Sequence, residues 1–221
     1  GSATRTNGVL RLLKALRHEV PGIAATAARL GVKSSGDAIG YVLKSVHMPH
    51  SGKMSITRVL CGEIGEGATV IGSGGESARV AGVFKIQGAA NEKRGPAQAG
   101  ETVALAKLDP IATGETLSTG KSAPAPLVDI ASPQPVMAVS IAARERKDDV
   151  KLGAALSKLT DEDPSIKVVH NTESSEIVLW GQGEMHLRVA AERLSGRYGV
   201  GITTRAPSVG YRETIRKPIT Q

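Results

Sequence analysis

The residues of this chain that invite a chemical reading lie between Glu176 and Leu194, in EIVLWGQGEMHLRVAAERL. An apolar, strand-like run meets Gly181-Gln182-Gly183, and a helical pattern follows. Strand, Gly-x-Gly and helix in that order open the dinucleotide-binding folds, where the pyrophosphate sits at the helix N-terminus. The rest of that fingerprint is missing. A third glycine belongs three residues after the second, and His186 stands there. An acid that holds the ribose belongs about 20 residues further on, where the sequence reads ITTRA. The glycines are therefore expected to permit a tight strand-to-helix turn, not to cradle phosphate.

The other candidates fail on spacing. Glu184 and His186 are two apart on a helix, so their side chains diverge. No Ser, Cys or second His joins them in a nucleophile arrangement, and a structural histidine is expected. His47 and His50 flank Met-Pro in a loop, which is poor metal geometry without further ligands. SGKMS looks like the end of a P-loop, but His47 occupies the first glycine position and no helix follows. Cys61 is the only cysteine, which excludes an intramolecular disulfide and a cysteine-rich zinc site and fits a reducing cytosol. There is no apolar run of about 18 residues and no signal-peptide pattern. No membrane partner is expected, and a cytoplasmic location is. The formal charge of +7, from 28 basic and 21 acidic residues, is spread along the chain. That suits a broad, weak attraction to an anionic partner such as RNA, and equally an ordinary solvated surface.

The elements that position these residues fall into two textures. Asn7 is placed to cap a short amphipathic helix carrying Val9, Leu12, Leu13, Leu16 and Val20, stopped by Pro21-Gly22. AATAARLG suggests a further helical piece and KSSGD a loop. From Ala38, the runs IGYVLKSVHM, GKMSITRVLCG, GATVIGS, ARVAGVFKIQG and ETVALAKL alternate with glycine-containing turns. Short, evenly spaced strands of this kind predict a sandwich or small barrel. KSAPAPLVDIASPQP holds four prolines and reads as a linker or extended edge. Beyond it, VMAVSIAAR, a helix capped by Asp148 or Asp149 with the stripe Leu152, Ala155, Leu156 and Leu159, SIKVVHN and EIVLW follow in turn. Then come a helix marked by Leu187, Ala190, Ala191, Leu194 and Tyr198, with Gly199 as C-cap, and VGITTR. The order is β-α-β-β-α-β, the ferredoxin-like arrangement. RNA-recognition motifs share it and stack bases on strand aromatics. VGITTR and VMAVSIAAR carry none, so base stacking on this sheet is not expected.

Four local patterns converge in the last third: Glu162-Asp163-Pro164, Thr172-Glu173, Gly181 through Leu187 in the form GxGExHL, and Pro207 through Thr214. Together they resemble the third domain of elongation factor G and its relatives. The stretch from Gly40 to Gly120, through GKMSITRVLCGEIGEGATV and AGETVALAKLDPIATGETL, resembles the second-domain β-barrel of translational GTPases. GSATRTNGV at the start is similar to the last guanine-contact motif and final helix of the family's G domain. Ser2 and Ala3 would then be a relic of that motif, although a tag scar can also supply Gly1-Ser2.

The resemblance implies a multi-domain chain, β plus α+β: residues 1–37 as a G-domain remnant and linker, 38–121 as the barrel, 122–134 as a Pro-rich linker and 135–221 as the ferredoxin-like domain. It implies a middle piece of a GTPase whose GTP and Mg sites lie upstream. This chain itself would hold no cofactor and have no enzymatic activity. The implied partners are the ribosome, through ribosomal RNA and small-subunit protein, and the missing G and distal domains, with the chain a monomer. Lys93 and Arg94, in the expected loop QGAANEKRGPAQ, are the first ribosome-contact candidates, and Arg193 and Arg197 the next. The alanine-rich insert PGIAATAARLGVKSSGD departs from ordinary elongation factor G and points to a divergent elongation factor G-like paralogue. A ribosomal-protection or release-factor relative, or a free-standing RNA-binding protein, are the alternatives.

Overall fold

A computed structural model of the chain describes residues 1–32, 36–48, 51–88 and 90–209. His50, part of KSSGD and the Pro207–Thr214 motif beyond residue 209 lie outside these residues. The chain divides into two compact units, Gly1–Ile130 and Ala131–Gln221.

The first unit opens with α1 (Val9–Glu19) and α2 (Ile23–Arg29). The N-cap of α1 is Gly8, with no side-chain cap. Asn7 does not fill that role, because its main chain is bridged to Ser2 one turn earlier. The apolar row of α1 is uncovered: Leu12, Leu13, Leu16 and Val20 are 60, 55, 49 and 61% exposed. α2 lies against β2 (below).

Ten strands follow: β1 (Ile39–Met48), β2 (Gly52–Cys61), β3 (Glu63–Ile64), β4 (Thr69–Gly72), β5 (Ser77–Arg79), β6 (Val83–Gln87), β7 (Ala90–Arg94), β8 (Ala97–Gln98), β9 (Thr102–Ala106) and β10 (Thr116–Ser118). Eight form one antiparallel sheet in the order β5-β4-β10-β1-β2-β9-β6-β7, and β3 pairs with β8. The sheet curls on itself. Val70 of β4 and Val83 of β6, five places apart in that order, belong to one core with Val42, Val59, Leu105, Leu108, Ile111 and Leu117. The ring is drawn together at residues 80–82. Val80 bonds Gly67 and Ala68 at the start of β4, while Ala81 and Gly82 bond Ala106 at the end of β9. Alternating Val, Ile and Leu fill this core, which is why so few aromatics suffice.

One loop expectation is corrected. Lys93 and Arg94 are not at a loop tip but on β7, opposite Phe84 and Val83, with Lys85 facing Glu92. Opposite charges across the strands let the hairpin continue where the composition alone suggests a loop.

The second unit contains β11 (Met137–Ala143), a 3-10 turn (Arg146–Asp148), α3 (Asp149–Glu162), β12 (Lys167–Asn171), β13 (Glu176–Gly181), α4 (Glu184–Gly196) and β14 (Ile202–Arg205). The sheet order is β12-β13-β11-β14, with every pair antiparallel. The α3 stripe Leu152, Ala155, Leu156 and Leu159 packs with Leu187, Ala190 and Leu194 of α4 over Ile141, Leu179 and Ile202. Burying each such leucine contributes about 1.5–3 kcal/mol, so this single cluster fixes which face of the sheet the helices cover. Neither aspartate at the start of α3 caps it through its side chain; Asp148 Oδ1 instead accepts from Lys151 Nζ at 2.9 Å.

Among the described residues the other sheet face carries no helix, although Ser140, Val178 and Glu176 on it are buried and Ser208 reaches across to Glu176. Strand alternation puts Trp180 there, opposite in sense to buried Leu179. A sheet without an exposed aromatic, as the first and last strands alone suggest, is therefore corrected: Trp180 lies on the central strand β13 and is 36% exposed.

Candidate functional site

The GQG turn joins β13 to α4. Gly183 is the N-cap at φ +154, ψ 179, a conformation reserved almost entirely for glycine. Its carbonyl accepts from Leu187 N–H at 3.1 Å, starting the helix. Gly181 is needed for a different reason: a Cβ there would sit 2.9 Å from Leu187 Cδ2 and 3.1 Å from His186 Nδ1. Both contacts are too close for the packed leucine to accommodate freely.

His186 has both ring nitrogens engaged. Gln182 N–H donates to Nδ1 at 3.0 Å, and Nε2 lies 3.0 Å from Asp163 Oδ2. This network requires the tautomer protonated on Nε2. The imidazole is therefore a tie, unsuited to proton transfer while both bonds stand, and the Gln182 N–H is not open to a phosphate. Asp163 also accepts from Ser165 N–H at 3.1 Å and Ser165 Oγ at 2.5 Å. Partial burial pushes its carboxyl up, but the Ser165 and His186 donors outweigh burial and hold it below the usual aspartate range.

Its neighbour Glu162, 4% exposed at the side chain, accepts from Arg197 at 3.0 Å beyond the other end of α4. Arg197 also stacks on Tyr198, 5.8 Å from the ring centroid. Two consecutive acids at the end of α3 thus hold α4 at its first turn and at its C-cap.

Glu176, at the start of β13, is a second anchor. Ser208 N–H and Oγ donate to it at 3.0 and 2.9 Å, Ser174 Oγ at 3.0 Å and Arg205 at 2.7 Å. The Ser208 N–H leads these bonds in lowering its pKa, against desolvation, to about 2.

Of the contact candidates, Lys93 pairs with Glu66 at 2.9 Å, both largely exposed. Arg94 makes a two-pronged contact with Glu101 at 2.8 and 3.0 Å, and Gln98 N–H donates to the same carboxylate at 2.8 Å. These bonds hold Glu101 below the usual glutamate range. The structure thus brings Lys93 and Arg94 together on one hairpin, but both already bind acids. In the other unit Arg193 is on α4 and Arg197 is its C-cap; Arg193 is exposed and Arg197 is engaged. Ser2 lies in a tight N-terminal turn, its N–H 3.0 Å from Asn7 O and its Oγ 3.2 Å from Thr4 Oγ1. Ala3 O closes the same turn, accepting from Thr6 N–H at 3.2 Å. Lys53, which the P-loop comparison singled out, is 3% exposed, and its Nζ donates to Asp109 O at 2.9 Å and Ile111 O at 3.0 Å. No ammonium so enclosed is presented to a phosphate. Among the described residues no cluster of three or more His, Cys, Asp or Glu is placed to hold a metal ion, and no helix is long and apolar enough to cross a membrane.

Sequence reasoning did not identify Glu176, Lys53 or the exposure of Trp180 as features of the fold. For Trp180 the signal was present: alternation along EIVLW places it opposite Leu179.

Residues 132–206 match the family model for elongation factor G, domain III. An elongation factor G-like protein of Synechocystis is 42% identical over 98% of the chain and 32% of its own length. This chain belongs to the elongation factor G family. Elongation factor G of Ehrlichia canis is 34% identical over 99% of the chain and 34% of its own length. A crystal structure of a Thermus thermophilus protein superposes with a TM-score of 0.78 at 32% identity, covering 95% of this chain and 31% of that one. The chain spans about a third of the length of the curated relatives it matches. It is a β-rich, α+β, multi-domain part of an elongation factor G-like translation factor. The braced turn between β13 and α4, whose Gly-x-Gly resembles a nucleotide site, lies within the stretch that matches the domain III model.

Proposed function

We propose that this chain is the middle part of an elongation factor G-like translational GTPase. It contacts the ribosome and passes the nucleotide state of the G domain toward distal domains during translocation. In this reading residues 1–37 are the G-domain remnant and linker, 38–121 the barrel, 122–134 the connection and 135–221 domain III. GTP and Mg bind in the parent's G domain, Ser2 and Ala3 are what remains of the guanine-contact motif, and the parent is a cytoplasmic monomer. The 42% match to a protein named elongation factor G-like, against 34% to an elongation factor G, supports a paralogue.

The observation that carries the relay is the bracing of α4 by Glu162 and Asp163. Helices tied at both ends move as one body, which a relay requires. Ribosome contact is supported by the net positive charge and by exposed Arg193 and Lys93. The Lys93–Glu66 pair is exposed and such pairs are weak, so Lys93 can exchange its partner for a phosphate more readily than Arg94.

Sedimentation of the chain with small ribosomal subunits at several salt concentrations tests this. Binding is expected to fall steeply with salt. Lys93→Glu and Arg193→Glu are each expected to flatten the slope by roughly one unit. Binding that ignores salt, or slopes unchanged in both variants, refutes the contact.

A further inference from the structure

The open face of the domain III sheet offers something the family resemblance does not call for. Trp180, the only tryptophan of the chain, presents its indole on β13 between Lys167 of β12 and Ala138 of β11, its cross-strand neighbours. Gln134, Pro135, Lys167, Val169 and Trp180 line a depression of about 330 Å³. A second, of about 460 Å³, adjoins it across Trp180 and Val169. Both volumes fall in the ~300–1,000 Å³ range of small-ligand sites.

The chemistry of the first depression is one-sided: none of its lining residues is acidic, whereas Glu173 lines the second. Val169 and Trp180 are 37 and 36% exposed, leaving an apolar floor in water. Lys167 is exposed and makes no ion pair with a described residue. The nearest acid on this face along β13, Glu176, is consumed by Arg205, Ser174 and Ser208. A flat aromatic surface beside an uncompensated cation, on a central strand of an open β-α-β-β-α-β sheet, matches the needs of an unpaired nucleotide. The base stacks on the ring, and the phosphate meets the ammonium. An apolar protein segment would leave Lys167 without a partner.

We propose that this face binds single-stranded RNA, with one base stacked on Trp180, the adjacent phosphate on Lys167 and the Gln134 amide at the base edge. The proposal does not rest on the ribosomal reading, since it concerns a short unpaired strand and not the subunit. The single indole reports on it directly. Titration of the chain with a short oligoadenylate is expected to quench tryptophan fluorescence saturably. The same strand annealed to its complement should leave the emission unchanged. By anisotropy of a labelled strand, Trp180→Ala should weaken binding about 5- to 150-fold, and Trp180→Phe should retain part of it. Lys167→Gln should flatten the salt dependence by about 0.7 units. Circular dichroism melting of each variant separates lost binding from lost fold; the exposure of both residues predicts intact folds. The proposal is overturned by no quenching, by equal affinity for the duplex, or by equal affinity for adenosine monophosphate, which would assign the face to free nucleotides. Self-association abolished by Trp180→Ala would also overturn it, by assigning the face to a second copy of the chain.

Discussion

Replacing His186 by Ala removes two bonds at once: Nε2 to Asp163 Oδ2 and Gln182 N–H to Nδ1, both 3.0 Å. The first involves a carboxylate, and the side chains are only 22 and 28% exposed. Bonds to charged groups contribute about 1.5–3 kcal/mol and neutral ones about 0.5–1.5. Partial exposure places both at the low end of those ranges, for a total loss of about 2 kcal/mol. In a domain of this size, each kcal/mol lowers Tm by roughly 4–8 °C, so calorimetry should find the domain III transition lowered by about 8–16 °C. A double-mutant cycle with Asp163→Ala should return a coupling of about 1 kcal/mol. The pH dependence has a fixed sign. Because the folded carboxyl lies below the ordinary aspartate value of 3.8, its stabilisation is present above that value and lost as pH falls through the folded one. His186→Ala should shrink that acid-side loss. A Tm change under about 2 °C, or strictly additive single mutants, would refute the idea that this tie holds the helices.

Gly183→Val should destabilise domain III by about 1–3 kcal/mol, because φ is +154; an unchanged Tm would show the turn relaxing to ordinary angles. Glu176→Gln should remove the part of the stability that declines as pH falls from 4.5, the ordinary glutamate value, toward about 2; wild-type and variant acid-unfolding curves of the same shape would contradict the anchor. The chain should neither bind nor hydrolyse GTP, since phosphoryl transfer needs a phosphate cradle and a magnesium ligand. Lys53, the one P-loop-like cation, is committed to carbonyls. Micromolar GTP binding by calorimetry would overturn this.

Periodicity carried the sequence reading furthest where burial is one-sided. The α3 stripe and the Leu187–Leu194 stripe both lie in the core, because a helix half in water must show its period. IGYVLKSVHM coincides with β1. Periodicity was weakest at short edge elements. β7 reads as a loop because ANEKR is polar after its first residue, and its pairing depends on β6 rather than on its own composition. ARVAGVFKIQG reads as one run but breaks at residues 80–82, where the chain crosses the barrel. At the GQG turn, dismissal of a nucleotide site needed only spacing, whereas the pairing of Asp163 with His186, 23 residues apart, is a tertiary fact. Glu176 and Lys53 were illegible for the same reason: Ser208 and Arg205 reach Glu176, and the Asp109 and Ile111 carbonyls reach Lys53, only through the fold.

The bracing of α4 has a mechanical consequence. A helix of 13 residues is about 20 Å long, and anchored at a single end it would pivot about that end. Here both fastenings come from one dipeptide, Glu162-Asp163, so the α4 strut and its supports form a triangle whose apex is a single peptide unit. Triangles resist shear. If the GQG turn is pushed, two fastenings on one peptide unit favour a rotation of the whole figure over a bend in the helix. Leu187 and Leu194 are buried beneath the helix, so any turn of that figure has to displace close-packed side chains.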